Sequence, residues 1–404
     1  MIRHVFVWLH RWAGLAMAGF LVVTALTGSL LAFNSELERL ISPQLYATPR
    51  PGVAPLDLAT LAERAEKLVP EGRIAEVQFT EADQANVEVV ARKDAAAGAP
   101  YALGFNQLFL DPWTGAELGR RMRGDLSQGW INLMPFIYDV HWELALGTPG
   151  FWTLGIVAVV WSIDCFIGFY LTLPIAIAAF WRRWKPSWLV KGGPGFFRLN
   201  FDLHRAGGLW LWPMLFILAW SSVMMDMRPV YEWGMRAVFD YHSPDDSYRS
   251  LPRRPDETPR LDWRAALATG ERLMAAEASI HGFTVGQPLG LSYSPVFGAY
   301  FYEVRGSRDI FERAPKGGST EVMFDGETGV LVKLFLPTGE RAGDTVESWL
   351  YALHMTRVFG RAYQIFVCGL GFAITMLSIT GVYIWWKKRQ ARKFSAGRRW
   401  RPAR

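Results

Sequence analysis

The chain has 404 residues, of which 51% are hydrophobic, and a formal net charge of +6. Its two cysteines, Cys165 and Cys368, both lie in apolar runs, which excludes a disulfide framework for the polar segments. The apolar residues are concentrated in four runs, and this uneven distribution is typical of a membrane protein.

The four runs lie at 12–35, 144–180, 206–225 and 362–386, and Asp164 is the one charged residue within them. Each run can cross the core of a bilayer, for which a helix needs about 20 residues. The sequence therefore predicts four transmembrane helices. A cleaved signal peptide is the alternative for the first run, but the run is long and residues 33–36 do not resemble a small-residue cleavage site.

Basic residues indicate how these helices are oriented. The tail after Trp386 has nine lysines and arginines and no acid. The segment between the second and third runs includes Arg182, Arg183, Lys185, Lys191 and Arg198, and Arg3 and Arg11 precede the first run. The positive-inside rule places all three segments in the cytoplasm. A nucleic-acid-binding tail is the alternative interpretation, which we disfavour because the tail directly follows a span.

Four spans with both termini inside leave two outer regions, 36–128 and 228–345. Each begins with an amphipathic helix pattern, at 58–68 and from Trp263 to Ala278. Strand patterns follow at 74–80, 86–92, 107–111, 289–294, 299–305 and 321–325. Turn sequences then close each region, at 111–115 and 325–329.

The order of these elements indicates an internal repeat. Thr114 and Thr328 lie 214 residues apart, and His141 and His354 lie 213 apart. The expected fold is a mainly α membrane protein, a four-helix transmembrane bundle with two duplicated α+β outer domains. The expected divisions are 1–35, the first span; 36–128, the first outer domain; 129–227, the second and third spans; 228–345, the second outer domain; and 346–404, the fourth span and basic tail.

Four of the seven histidines recur at matching positions. His10 and His204 both stand in the pattern Leu-His-Arg-x-Ala/Gly-Gly-Leu at the start of a span, and His141 and His354 each precede a span. Alternating span directions put the first pair on the cytoplasmic side and the second pair on the other side. Each pair can supply two axial nitrogens to one haem iron, an arrangement that suits electron transfer.

Glycines support this interpretation. Gly14 and Gly208 lie four residues after His10 and His204, on the same helical face, where the missing side chain lets a flat porphyrin approach. Neither cysteine is in a C-x-x-C-H motif, so the haem would not be covalently attached. The alternatives are interfacial histidines at the membrane edge and a copper or zinc site at His141 and His354.

Further charged residues are candidates near the haems. Arg11, Arg205 and Arg357 could pair with haem propionates, although Arg11 and Arg205 could equally be membrane anchors. Asp164 lies 23 residues after His141, about 35 Å of helix, so we expect it near the inner pair. It could bind an arginine, carry protons or form a structural hydrogen bond, and Leu377 stands at its position in the other half.

The whole layout resembles the PepSY-associated transmembrane family. The resemblance rests on the opening Leu-His-Arg with its following glycine, the paired helix-and-strand outer regions, the Asp-x-x-Thr-Gly turns, and the Leu-His or Val-His before spans two and four. Members of this family are similar to inner-membrane ferric-siderophore reductases. The resemblance implies two b-type haems, PepSY-like periplasmic domains, and electron transfer to ferric siderophores or other ferric chelates in the periplasm.

The expected function is therefore that of a bacterial inner-membrane oxidoreductase with both termini cytoplasmic and no nucleic-acid partner. Residues 192–195 lack the G-x-G-x-x-G spacing, so no nucleotide-binding motif is evident and a quinol or a cytoplasmic reductase must donate the electrons. The competing hypothesis is a non-enzymatic module whose outer domains bind peptides or regulate a protease, with the spans as anchors.

Overall fold

The computed structural model of the chain describes residues 2–93, 98–191, 195–243, 258–311 and 318–399. Gly192, Gly193 and Pro194 of the glycine-rich stretch lie outside them. The chain forms two compact units, one comprising 1–33, 137–233 and 361–404, the other 34–136 and 234–360. We call them the membrane unit and the sheet unit. The unit boundaries depart from the expected divisions because short helices before the second and fourth spans begin in the sheet unit.

Four long apolar helices make up the membrane unit. They are α1 (Ile2–Leu31), α5 (Thr148–Thr172), α7 (Phe196–Asp226) and α11 (Gly360–Arg399). Each is long and apolar enough to cross a membrane, in the last case over Gly360–Arg392. The four predicted spans are confirmed, although α1 and α7 start about ten residues before the uncharged runs.

Small residues allow the spans to approach closely. Helix α5 packs against both α1 and α7. On α11, Gly371 faces Ala25 and Ser29 of α1 with no room for a Cβ atom, and the Ser29 hydroxyl donates a hydrogen bond to the Cys368 carbonyl at 3.1 Å. In a bilayer, where apolar burial does not drive helix association, such close packing and interhelical hydrogen bonds hold helices together.

One end of the bundle carries the basic residues. The starts of α1 and α7 and the ends of α5 and α11 meet there, because His10 contacts Gly168 and His204 contacts Gly381. Arg3 donates hydrogen bonds to the carbonyls of Leu171 and Leu173 at 2.7 and 3.1 Å, where the last carbonyls of α5 lack helical partners. We call this end of the membrane unit the basic end.

The sheet unit contains one antiparallel sheet of eight strands in the order β4-β3-β2-β1-β5-β6-β7-β8. The strands are β1 (Gly72–Glu81), β2 (Gln84–Ala91), β3 (Gln107–Leu110), β4 (Glu117–Arg121), β5 (Val285–Ser294), β6 (Ala299–Gly306), β7 (Thr320–Asp325) and β8 (Leu331–Phe335). All six predicted strands are confirmed. The outermost strands, β4 and β8, were missed because they are short and lack a clear polar–apolar alternation.

The two outer regions share this sheet. The sequence led us to expect two α+β domains, but β1 pairs with β5 through Glu76–Ser292, Val77–Leu291 and Gln78–Gly290. An exposed edge strand is a template for another strand. Pairing β1 with β5 therefore removes one open edge from each four-stranded half and produces one unit.

Two helices cover one face of the sheet. They are α3 (Leu58–Leu68) and α9 (Trp263–His281), both predicted from their amphipathic patterns. Asp57 and Asp262 cap their N-termini by accepting hydrogen bonds from the backbone N–H groups of Thr60 and Ala265. Arg264 of α9 forms a 3.0 Å ion pair with Glu63 of α3, so the helices from the two regions also contact each other.

The other sheet face carries a polar row. Gln78, Gly290, Glu303 and Glu321 lie directly opposite one another on β1, β5, β6 and β7. The side chains of Gln78, Glu303 and Glu321 share a face, because directly paired residues project to the same side. Burial, together with the neighbouring Glu303 carboxylate, raises the pKa of Glu321 well above its ordinary value.

The predicted turns are present, and five further α-helices of the described residues were not predicted. Asp111 and Asp325 each accept two backbone hydrogen bonds from the residues that follow them, as the turn sequences indicated. The additional helices next to the spans are α2 (Asn34–Ile41), α4 (Leu133–Glu143), α8 (Arg228–Val238) and α10 (Ala342–His354), and a short α6 (Phe180–Trp184) follows α5. His141 lies on α4, and His354 ends α10.

Candidate functional site

Two of the repeated histidines lie side by side in the membrane unit. His10 is in the first third of α1, and His204 is in the first third of α7. The centroids of their rings are 6.1 Å apart, and the ring planes are inclined by 55°. The pair that the sequence assigned to one side of the membrane is thus assembled at the basic end.

Each of these histidines rests against a glycine of the next span. A Cβ atom on Gly168 of α5 would lie 3.5 Å from Cε1 of His10, and one on Gly381 of α11 would lie 3.1 Å from Cε1 of His204. The two glycines are 213 residues apart, the same offset as His141 and His354. A larger residue at Gly168 would push the His10 ring away from α5, and one at Gly381 would push the His204 ring away from α11.

The Nδ1 atom of His10 is held by a buried carboxylate. It lies 2.9 and 3.0 Å from the two carboxylate oxygens of Asp164, which is 6% exposed. An ionised carboxylate only accepts hydrogen bonds, so Nδ1 carries the proton and Nε2 is left as the atom that can bind a metal. A carboxylate behind a ligating histidine fixes the ring and raises its basicity.

The Nδ1 atom of His204 has a neutral partner instead. It lies 3.0 Å from the carbonyl oxygen of Leu377 and 3.2 Å from the hydroxyl of Thr380. The Thr380 hydroxyl is within donating distance of the Met376 and Leu377 carbonyls. A carbonyl only accepts, so His204 also carries its proton on Nδ1 and leaves Nε2 for a metal.

The spacing of the two rings fits a shared metal. A metal–imidazole nitrogen bond is about 2 Å, so two rings bound in line to one ion through Nε2 have centroids about 6 Å apart. Among the described residues, no group of three or more His, Cys, Asp or Glu side chains could hold a metal ion. A pair of histidines suits a metal whose other ligands come from a macrocycle, as in haem.

The backbone beside the pair is also open. A Cβ atom on Gly14 or Gly208 would have no neighbour within 4 Å. These are the two glycines one turn after His10 and His204, where the sequence predicted that a porphyrin would approach. The donor set and the space beside it thus fit a haem with two imidazole ligands.

His141 is in the membrane unit, away from this pair along α1. Its Nδ1 lies 3.0 Å from the Thr27 hydroxyl, and a Cβ atom on Gly28 would lie 2.9 Å from its Cε1 atom. The 18 residues from His10 to Gly28 correspond to about 27 Å of helix. His141 therefore lies towards the opposite end of the bundle.

His354 belongs to the sheet unit. It is the last residue of α10, and Thr356, Phe359 and Gly360 adopt positive φ angles in the turn before α11. The turn between α4 and α5 is built likewise, with positive φ angles at Leu144, Ala145 and Gly147. The pairing of His141 with His354 remains a prediction.

The three candidate arginines have different surroundings. The Arg205 guanidinium donates to Asp202 at 2.9 Å and to the Pro186 carbonyl at 2.7 Å, both through the same terminal nitrogen. Arg11 lines a cleft with other cations. Arg357 lies in the turn after α10, where its backbone N–H donates to the Ala352 carbonyl.

Sequence reasoning missed several residues of this site. Gly168, Gly381, Thr380, Thr27 and Gly28 contact the histidines but are ordinary residues in apolar helices. The 213-residue offset could have found Gly168 and Gly381. Adding 213 to the position of Gly168 in the second span gives another glycine, Gly381, in the fourth span. Nothing in the sequence signals Thr27, which contacts His141 only through the packing of α1 on α4.

Comparison with known proteins gives a family. No curated protein matches the chain. The family described as the PepSY-associated TM region matches residues 7–388, nearly the whole chain and all four spans. The chain is therefore a member of the PepSY-associated TM region family, a membrane protein in which that region includes His10, His141, His204 and His354.

Proposed function

We propose that this protein is an oxidoreductase of the bacterial inner membrane that passes electrons to ferric complexes, such as ferric siderophores, in the periplasm. It would hold two b-type haems, one bound by His10 and His204 and one by His141 and His354. Both termini would be cytoplasmic, which puts the basic end inside and the sheet unit in the periplasm.

The arrangement of His10 and His204 is the observation that carries this proposal. Two histidines on different spans lie at the spacing of a shared metal, and hydrogen bonds at Nδ1 leave both Nε2 atoms to bind it. Interfacial histidines that only reach towards water would need no such anchoring. A carboxylate on one ring and a carbonyl on the other support a role as paired ligands.

The residues of the chain have distinct tasks in this proposal. A haem held by His10 and His204 would supply one-electron transfer. The two histidine rings are oriented by Asp164, Leu377 and Thr380. Gly168 and Gly381 let these rings lie close to α5 and α11. The apolar spans exclude water around them.

The second site extends the path across the bilayer. His141 lies about 27 Å of helix from His10 along α1, so the two sites would serve opposite membrane faces. Each ferric ion takes up one electron to become ferrous, and hard oxygen donors hold the softer ferrous ion less well. A quinol or a cytoplasmic reductase would supply the electrons, since the chain has no evident nucleotide-binding motif of its own.

Electron transfer to iron can be tested with purified protein. The protein is reduced, freed of excess reductant and mixed anaerobically with ferric siderophores in the presence of a ferrous-iron chelator. Haem reoxidation with a matching ferrous signal is expected, and His10→Ala should abolish it. His281→Ala is the matched control, because His281 is partly exposed on α9 with Glu277 as a neighbour. Reduced haems that react with no ferric complex but with another acceptor would refute the siderophore assignment.

A further inference from the structure

A basic cleft lies between the first and last spans at the basic end. Its volume is about 310 Å³, and only residues of α1 and α11 line it. These residues are Arg11, Trp12, Trp385, Lys388, Arg389 and Arg392. The lining thus combines four cations and two tryptophans, and it includes no acidic residue.

Three of these cations contact aromatic rings or other cations rather than carboxylates in the described part of the chain. Within the described part of the chain, Arg11, Lys388 and Arg389 form no ion pair with an acidic side chain. The Arg389 guanidinium lies 5.3 Å from the Trp385 ring, and the Lys388 ammonium lies 5.7 Å from the Phe201 ring. Like charges gathered in one cleft repel each other, so an anion there would be stabilising.

The walls of the cleft match a membrane interface. Tryptophans concentrate at the level of lipid head groups, and Trp12 is 48% exposed. Exposed apolar residues continue from the cleft into the span, Val23 on α1 and Ile379 and Val382 on α11. A ligand with an anionic head and an apolar chain would contact both parts.

We propose that this cleft binds the phosphate of an anionic phospholipid, with the acyl chains along the exposed residues of α1 and α11. Basic pockets between transmembrane helices on the cytoplasmic side suit such head groups. A free phosphate would use the cations but not the tryptophans and the apolar stripe. A haem propionate, the partner first expected for Arg11, is the competing anion, and the experiment below separates the two.

Native mass spectrometry of the full chain provides the test. Protein in nanodiscs of phosphatidylethanolamine with a minority of phosphatidylglycerol should retain phosphatidylglycerol preferentially. Arg11→Gln/Lys388→Gln should weaken this retention roughly 30-fold, since each cation near an anionic surface contributes about 1 kcal/mol. Arg182→Gln/Arg183→Gln is the matched control, because it removes the same charge from exposed positions outside the cleft.

Three results would overturn the proposal. One is equal retention of phosphatidylglycerol by the cleft variant and the control. Another is displacement of the lipid by millimolar inorganic phosphate, which would indicate a site for free anions. The third is loss of haem from the cleft variant with unchanged lipid retention, which would assign the cations to propionates. If the double variant does not fold, titration of the unaltered protein decides, with saturable anionic-lipid binding expected and non-saturable binding contradictory.

Discussion

The imidazole Nδ1 of His10 lies 2.9 Å from a carboxylate oxygen of Asp164, the one charged residue in the apolar run of the second span. In the other half of the chain, His204 has the backbone carbonyl of Leu377 in the same role, at 3.0 Å. Leu377 is also the residue 213 positions after Asp164. The two halves therefore support equivalent histidines with partners of different charge.

Asp164 should lower the reduction potential of the haem that we propose His10 binds. Its carboxylate makes the ligand more basic and so favours the ferric state. Asp164→Asn should raise the midpoint potential of one haem, and Asp164→Leu, which copies the other half, should also weaken haem retention by about 10–100-fold. A potentiometric titration followed by absorbance measures both effects.

Ser162→Ala is the control for this experiment. Ser162 is buried on the same helix, and its hydroxyl donates to the Ala158 carbonyl rather than to a histidine. Its removal should leave both midpoint potentials unchanged. Equal potentials in the unaltered protein and in Asp164→Asn would contradict the assigned role.

Gly14 should be sensitive to side-chain size, because the proposed porphyrin lies against it. Gly14→Leu should remove the inner haem while the outer haem remains. Gly19→Leu is the control, since a Cβ atom on Gly14 or on Gly19 has no protein neighbour within 4 Å. Haem content per chain and the absorbance spectrum distinguish the two variants. Retention of both haems by Gly14→Leu would place the porphyrin elsewhere.

Much of the fold follows from the sequence because its signals are local. The four spans are long apolar runs, and the strands of both outer regions alternate or lie between turn residues. The single eight-stranded sheet does not follow, since the pairing of β1 with β5 joins segments about 200 residues apart. Hydrophobic patterns define strands but not their partners across such a distance.

The site, like the sheet, could be predicted only in part from the sequence. The repeat predicted that His10 and His204 would come together, and the structure places them so. Asp164 was expected near this pair, but its hydrogen bond to His10 depends on the rotation of α5 against α1, which no local pattern specifies. The contact of Arg205 with the buried Asp202 could not be read from the sequence, and the pairing of Arg205 with a propionate stays a prediction.

Glu321 should make the stability of the protein depend on pH. Burial and the Glu303 carboxylate raise its pKa in the folded state, so the folded state holds this proton more tightly than the unfolded chain. The contribution of Glu321 to the free energy of unfolding is then fully present below the ordinary glutamate pKa of about 4.3. That contribution is lost as pH rises through the raised value. Glu321→Gln should therefore increase Tm more at pH 8 than at pH 5.

The exposed Glu271 on α9 provides the control. Glu271→Gln removes the same kind of side chain from a position outside the polar row. Thermal unfolding of the detergent-solubilised protein measures the difference. A Tm gain of Glu321→Gln that is the same at pH 5 and pH 8 would show that the residue titrates normally.

The orientation proposed for the chain predicts where reporters will be active. A fusion at Ala403, near the end of the basic tail, should give cytoplasmic reporter activity, and an insertion at Gly98, between β2 and β3, should give periplasmic activity. Alkaline phosphatase and a fluorescent protein that matures only in the cytoplasm make the comparison. Alkaline phosphatase activity at Ala403 would reverse the orientation, and with it the direction of electron flow.

Haem content is the most direct test of the central claim. A pyridine haemochrome assay of the purified protein, made under haem-sufficient conditions, should give two b-type haems per chain. His10→Ala and His204→Ala should each lose one haem, and His141→Ala and His354→Ala should each lose the other. A folded protein without haem would contradict the account, and so would a folded single variant that loses both.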